Sequence, residues 1–527
     1  MSLRRSFLWL GGIIFVVTLA RLLALQASPL ELGPDEAQYW GWGQTLAWGY
    51  FSKPPAVGWV GGLAPLLGGD SAFGARWPSA VFHAIGTAGI FAFTARLAAG
   101  QSWQAQAALL AGVLYLLAPG ISLSSLLLST DAIMIPLAVW ALYCVQRLRE
   151  APGSIGWGVA AGALFGLSAL GKYAGLYVPA GLLVGTLLDA PLRRALFGWG
   201  GLALVVALLV VMAPNLAWNA ASDGATIRHT VGNANLENTR WSLEEPLSWL
   251  VEQFGVFGLV AWPVGLFVCL TALFRPGHPV RAWAAAGLIP VLVVLAVAFA
   301  SRANANWAAA AFVVLCPAAA LALAGPLTAA ATGARRWTGW LARLAVALAL
   351  VVQVALGALV AGVFVNPALA DRVGLTAAIA DVRGWPQTVD ALEAQARARG
   401  TVGIVVDSRN LYHGLQFSGR DRLRTPDDVR RRDPDNRLQL RTWRGWNGAL
   451  NHAESVGGLQ PGTPGLWLMA SERTGWEAFF RQDFDRIEPA GEVVVDLGPR
   501  RQRRLTLWLV EGVRPLTRTR EELARGP

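Results

Sequence analysis

Charge is scarce in this chain: 15% of its 527 residues are Asp, Glu, Lys or Arg and 54% are hydrophobic, where an ordinary soluble domain carries about 25% charged residues. That balance excludes a typical soluble enzyme, and disordered and fibrous classes with it. Cysteine is nearly absent. Cys144, Cys269 and Cys316 lie far apart in hydrophobic stretches, so neither a disulfide framework nor a cysteine metal cluster is expected, and each reads as a buried apolar residue. No phosphate-binding glycine loop or nucleotide fingerprint occurs. There is also no repeat of fixed period and no symmetrical pair of broken helices of the kind an inverted-repeat transporter carries. Lysine is rarest of all: of 44 basic residues only Lys53 and Lys172 are lysine. A GC-rich genome produces such a bias by itself; the alternative is that these two positions need a compact ammonium and not a planar fork.

Long apolar runs are abundant, among them Ser6–Leu25, Leu202–Val211 and Ala345–Val363, and about 20 apolar residues cross ~30 Å of hydrocarbon. Hydropathy predicts about eleven spans, near 6–26, 77–98, 103–118, 131–148, 155–171, 174–190, 197–215, 249–273, 281–300, 306–325 and 338–364. The fold class expected is therefore a polytopic α-helical membrane protein. Arg4 and Arg5, Arg96, Arg147 and Arg149, Arg193 and Arg194, Arg275 and Arg281, and Arg335 and Arg336 all fall in loops on one side, the cytoplasmic one by the positive-inside rule. The net charge of +11 is then largely topological, and no nucleic-acid partner is expected. The N-terminus is expected in the cytoplasm, the first span is read as retained and not as a cleaved signal, and loops 27–76 and 216–248 are expected outside.

Residues 367–527 differ in composition, holding 25 of the 44 basic and 21 of the 33 acidic residues. They are expected to form a soluble α/β domain on the external side. Thr401–Asp407, Gly465–Met469, Glu492–Leu497 and Leu505–Val510 read as strands and Trp385–Arg399 as a helix. Residues 1–366 are taken as the transmembrane domain. Asp407-Ser408-Arg409 follows a strand end, where α/β sheets often bind ligands.

The polar and aromatic residues concentrate in the first external loop, from Glu31 through Asp35, Glu36, Tyr39, Trp40 and Trp42 to Lys53-Pro54-Pro55. Two readings stand for its acids. Pro34 followed by Asp35 and Glu36 is a helix start with carboxylates at the positive end of the dipole; alternatively Asp35 faces a cavity at the membrane surface as a general base. Asp131, after Ser129-Thr130, is either an N-cap or a second acid of the same cavity. Lys172 either snorkels at a span end or joins Lys53 around a phosphate. Arg228, His229, Asn233 and Asn235 form a polar run able to bind phosphate or sugar hydroxyls, with a plain solvated loop as the alternative. Asn304, Asn306 and Trp307 offer sugar contacts or interfacial anchoring. A divalent cation near Asp35, Glu36 and Asp131 is conceivable on charge alone.

The segments Gly33-Pro34-Asp35-Glu36-Ala37-Gln38-Tyr39-Trp40, Lys53-Pro54-Pro55 and Thr130-Asp131-Ala132 resemble those of bacterial protein-mannosyltransferase-like glycosyltransferases of the GT-C superfamily, which include the aminoarabinose transferases of lipid A. The resemblance covers roughly residues 1–366. It implies a GT-C-like fold in the bacterial inner membrane, with sugar transfer from a polyprenyl-phosphate donor to a lipid, glycan or protein acceptor on the periplasmic face. It assigns Asp35 as catalytic base, Asp131 as second acid and Lys53 as a donor-phosphate contact; apart from the resemblance, Lys172, Arg228 and His229 are read as further donor contacts and Glu36, Tyr39, Asn233 and Asn235 as substrate contacts. A transporter or flippase of a lipid-linked sugar is the alternative that involves no bond chemistry.

Overall fold

A computed structural model of the chain describes residues 2–234, 239, 241–328, 334–426, 428, 437–443, 457–473, 475–515 and 517. Contacts divide the chain into two units, one of Met1–Gln26, Ser52–Val57 and Arg76–Ala361, the other of Ala27–Phe51, Gly58–Ala75 and Gly362–Pro527. The second unit thus combines most of the first loop with the residues after Gly362.

Every stretch expected to span the membrane is helical, yet among the described residues six helices are long and apolar enough to cross by length and composition, or seven if a bent pair is one span: Leu3–Gln26, Ala72–Leu97, Thr130–Glu150, Trp199–Ala221, Ala305–Thr328 and Gly339–Val365. Gln104–Leu116, Ile155–Gly171, Tyr173–Leu188 and Ala284–Ala300 are apolar but shorter. The span expected over 249–273 is a bent pair, Glu244–Phe257 and Ala261–Ala272, which meet at 111°. The cause is Gly258, whose φ of +89° ends the first helix and whose missing side chain admits the Gln353 amide, 2.2 Å from where a Cβ would stand.

Burying backbone against backbone requires small residues, since lipid gives helices no hydrophobic reason to associate. Gly158, Gly162 and Gly166 supply them on one face of Ile155–Gly171. A Cβ at Gly158 or Gly162 would stand 2.0 Å from the carbonyl oxygen of Gly200 or Leu204 on the neighbouring helix. This close pair ends at Lys172.

The second unit contains a six-stranded sheet. Its strands are β1 (Gly403–Val406), β2 (Leu423–Arg424), β3 (Leu438–Thr442), β4 (Trp467–Ser471), β5 (Phe484–Gly498) and β6 (Arg501–Val513), in the order β2-β3-β1-β4-β6-β5. The first four of that order run parallel and β6 antiparallel to β4 and β5. The strand periodicity sends Ile404 and Val406 to a core with Trp385, Leu392, Leu411 and Leu415 of the helices Trp385–Ala398 and Arg409–Ser418. Val405 and Met469 go to the opposite core with Phe480 and Trp508. All four expected strands and the expected helix are present, and the strand end at Asp407 opens directly into the helix Arg409–Ser418.

Candidate functional site

Lys172 is positioned by a break in a helix. Ile155–Gly171 ends with Lys172 in extended backbone (φ −161°, ψ 130°), a short 3-10 turn Tyr173–Leu176 follows, and the chain resumes as Tyr177–Leu188. The turn is pinned because the Tyr173 hydroxyl donates to the Asn215 side chain at 2.8 Å and accepts from the Asn219 amide at 3.1 Å. The ammonium donates to Asp131 Oδ1 at 2.8 Å, and Asn306 Nδ2 donates to the other carboxylate oxygen at 2.7 Å. Side-chain exposure is 18% for Lys172 and 6% for Asp131. The snorkelling reading of Lys172 is therefore corrected: its charge is held inward by a buried partner. The capping reading of Asp131 is corrected as well, because Ser129 caps Thr130–Glu150, its hydroxyl accepting the Asp131 N–H at 3.2 Å.

Lys53 and Lys172 line one cavity of about 350 Å³, whose lining also includes the polar Ser52, Tyr173, Thr230 and Asn233 and the apolar Val293, Val294 and Val297, with Tyr177 and Trp307. No acidic residue is among the described residues that line it. Lys53, Lys172 and Asn233, chosen separately from the sequence, are thus brought together. A lining that mixes cations and hydrogen-bonding groups with apolar side chains suits an anion carried on a hydrocarbon chain. Trp307 belongs to this cavity, whereas the sugar-contact reading of Asn306 gives way to its bond with Asp131.

Other expected members stand elsewhere. The Arg228 guanidinium, 69% exposed, lies 4.0 Å from Asp223 and is absent from the cavity lining; with its neighbour His229 on the short helix Ala225–Gly232, it does not join Lys53 and Lys172 there. Asn235 lies outside the described residues.

The first-loop helix Pro34–Trp42 is in the second unit. Asp35 is open to solvent, 63% exposed, with its Oδ1 bonded to Arg409 Nη2 at 2.5 Å. Glu36 is buried and accepts the Gly33 N–H at 2.9 Å, so that its carboxylate closes the helix start. Tyr39 is buried, its ring 5.4 Å from that of Trp42. Sequence reasoning did not assign Tyr173 or Thr230 to any site, and it placed Arg409 only at a strand end able to bind ligands. Tyr173 had a signal, adjacency to one of two lysines; the partnership of Arg409 with Asp35, 374 residues away, had none.

The residues do not fit a divalent cation. Asp131 is occupied by an ammonium and an amide, Glu36 by a backbone N–H, and no group of three His, Cys, Asp or Glu gathers among the described residues. In the tail, burial pushes the Asp407 carboxyl above the usual carboxylate range, against the hydrogen bond it accepts from Ser471.

The family described as dolichyl-phosphate-mannose-protein mannosyltransferase matches residues 52–218, a stretch that includes Lys53, Asp131 and Lys172. The lipid A galacturonosyltransferase RgtD of Rhizobium johnstonii is 32% identical over 321 residues, which are 58% of this chain and 63% of that protein. The match therefore spans just under two thirds of the curated relative's length. The crystal structure of ArnT from Cupriavidus metallidurans in the apo state has a TM-score of 0.59 at 19% identity, covering 96% of this chain and 98% of ArnT. The same protein bound to undecaprenyl phosphate gives 0.59 at 18% identity, with 95% and 98% covered. At such identities the likeness concerns the fold; the family match within the membrane part and the curated relative agree with the resemblance to GT-C glycosyltransferases read from the sequence.

Proposed function

We propose that the protein transfers a sugar from a polyprenyl-phosphate carrier to an acceptor hydroxyl on the external face of the bacterial inner membrane. The observation that supports this most is the cavity whose lining holds both lysines together with apolar side chains such as Val293, Val294 and Val297. In the reaction the acceptor oxygen bonds to the anomeric carbon as the bond from that carbon to the phosphate oxygen breaks. The carrier leaves with the electron pair as polyprenyl phosphate, and the acceptor proton passes to a carboxylate. A single displacement of this kind inverts the anomeric centre. The leaving phosphate gains charge as the bond breaks, so ammonium groups at Lys53 and Lys172 stabilise the transition state more than the bound donor. Polyprenyl phosphate leaves without a proton, so one base suffices, in contrast to the two carboxylates of glycoside hydrolysis.

Asp35 is given the role of base: it is a solvent-accessible carboxylate with one oxygen unbonded among the described residues. Asp131 orients Lys172, and Asn233 and Trp307 contact the donor. The relative's activity makes galacturonate the first sugar to try and lipid A the first acceptor. The arginine-bearing loops favour a cytoplasmic N-terminus with residues 367–527 in the periplasm.

Lys53→Ala and Lys172→Ala test the reading. A hydrogen bond to a charged group is worth about 1.5–3 kcal/mol, so each variant is expected to lose roughly 10- to 100-fold in kcat/KM. The assay is transfer from undecaprenyl-phosphate galacturonate to lipid A, with the product weighed by mass spectrometry. Two fully active variants would remove the lysine cavity from the reaction.

A further inference from the structure

The side chain that holds Asp35 comes from the tail. Arg409 stands at the first position of the helix Arg409–Ser418, directly after β1, and its backbone is fixed on both sides. Upstream, the buried Asp407 carboxylate accepts the Ser471 hydroxyl at 2.6 Å. Between them, Ser408 caps the helix, its hydroxyl accepting the Leu411 N–H at 3.4 Å. The guanidinium is used as a fork: Nη2 donates to Asp35 Oδ1 at 2.5 Å and Nη1 to Gln38 Oε1 at 3.0 Å. Gln38 is 1% exposed and lies one helical turn from Asp35, so the fork is anchored by a buried amide and its free arm meets the carboxylate. Among the described residues no other side chain bonds Asp35, and its Oδ2 stays open.

This contact is part of a packed interface within the second unit. A Cβ at Gly41 would stand 2.7 Å from the Gln416 side-chain oxygen, the Trp40 and Phe417 rings meet edge to face at 5.2 Å, and Arg420 donates to the Asp70 carbonyl at 2.7 Å. The helix Arg409–Ser418 therefore has one placement along Pro34–Trp42. An exposed ion pair contributes little to stability, too little to explain a two-armed, buried-amide arrangement by stability alone. What such a fork does supply is direction: it fixes one carboxylate oxygen and presents the other.

The geometry points to Arg409 as a positioning residue for the transfer reaction, contributed by the tail to the carboxylate of the first loop; the inference rests on Asp35 being the base. The tail domain then completes the catalytic apparatus. Misplacing a reacting group by about 1 Å costs on the order of 100-fold in rate. In the full-length enzyme, reconstituted with undecaprenyl-phosphate galacturonate and lipid A, Arg409→Ala is expected to lower kcat roughly 10- to 100-fold while donor KM moves less than about twofold. Arg409→Lys, which restores one arm, is expected to recover part of kcat, and Gln38→Ala to lose a smaller share of it with the same split. Melting temperatures are measured beside each variant, and the lysine and Gln38 variants carry the test if the alanine variant fails to fold. Wild-type kcat in Arg409→Ala, or a loss that appears in KM, or no recovery with lysine, overturns the proposal while an inactive Asp35→Asn leaves the base assignment standing. Full activity in Asp35→Asn overturns both.

Discussion

Asp35→Asn is expected to reduce turnover by about 10²- to 10⁴-fold, the usual contribution of a positioned general base, with the protein folded and donor KM changed less than about threefold. Asparagine keeps the shape of aspartate, and its carbonyl oxygen still accepts the Arg409 fork, so position is preserved. What disappears is an atom able to take the acceptor proton. Because the side chain is 63% exposed and lies away from any core, the substitution is expected to shift stability by no more than about 0.5 kcal/mol. A fall in kcat at saturating donor, with an unshifted melting curve, separates chemistry from folding. Unchanged turnover would end the assignment.

The second large effect is on stability. Asp131→Ala removes the carboxylate that faces Lys172 and Asn306, leaving an ammonium 18% exposed without its partner. Breaking a buried pair from one side costs about 3–5 kcal/mol, whereas replacing both members by apolar groups is often neutral. Asp131→Ala is therefore expected to melt well below the parent, and Asp131→Ala with Lys172→Met to return to within about 1 kcal/mol of it, while transfer stays low in both. Thermal melts followed by intrinsic fluorescence, read beside the transfer assay, check this. A single variant as stable as the parent would mean that water already solvates the lysine.

Hydropathy located the long apolar helices of the membrane unit, because a helix covered by lipid or by other helices is apolar along its whole length, and missed the short Pro119–Ser124, Ala190–Leu196 and Ala225–Gly232. It could not count spans, since the break at Gly258 leaves no mark in hydropathy and depends on Gln353, far along the chain. The two lysines were legible by scarcity, and Asn233 by polarity in an apolar setting. Their meeting in one cavity was not, nor was the bridge from Lys172 to Asp131, 41 residues apart, or to Asn306, 175 from Asp131, because such distances are set by helix packing. In the first loop the Pro34-Asp35-Glu36 start was read correctly as a helix, yet which acid serves the backbone and which faces outward depends on a glycine cap. Gly33 has no side chain to offer, so Glu36 bends back to its N–H.

The crowding of both lysines into one cavity has a practical side. Side-chain primary amines are the handles of most acylating and crosslinking reagents, and here 42 arginines present none. An amine-directed reagent is therefore confined, terminal amine apart, to Lys53 and Lys172, and the peptide map of the labelled chain becomes a direct readout of access to a single chamber. Protection by polyprenyl phosphate then reports occupancy with no introduced cysteine, tag or radioactive sugar.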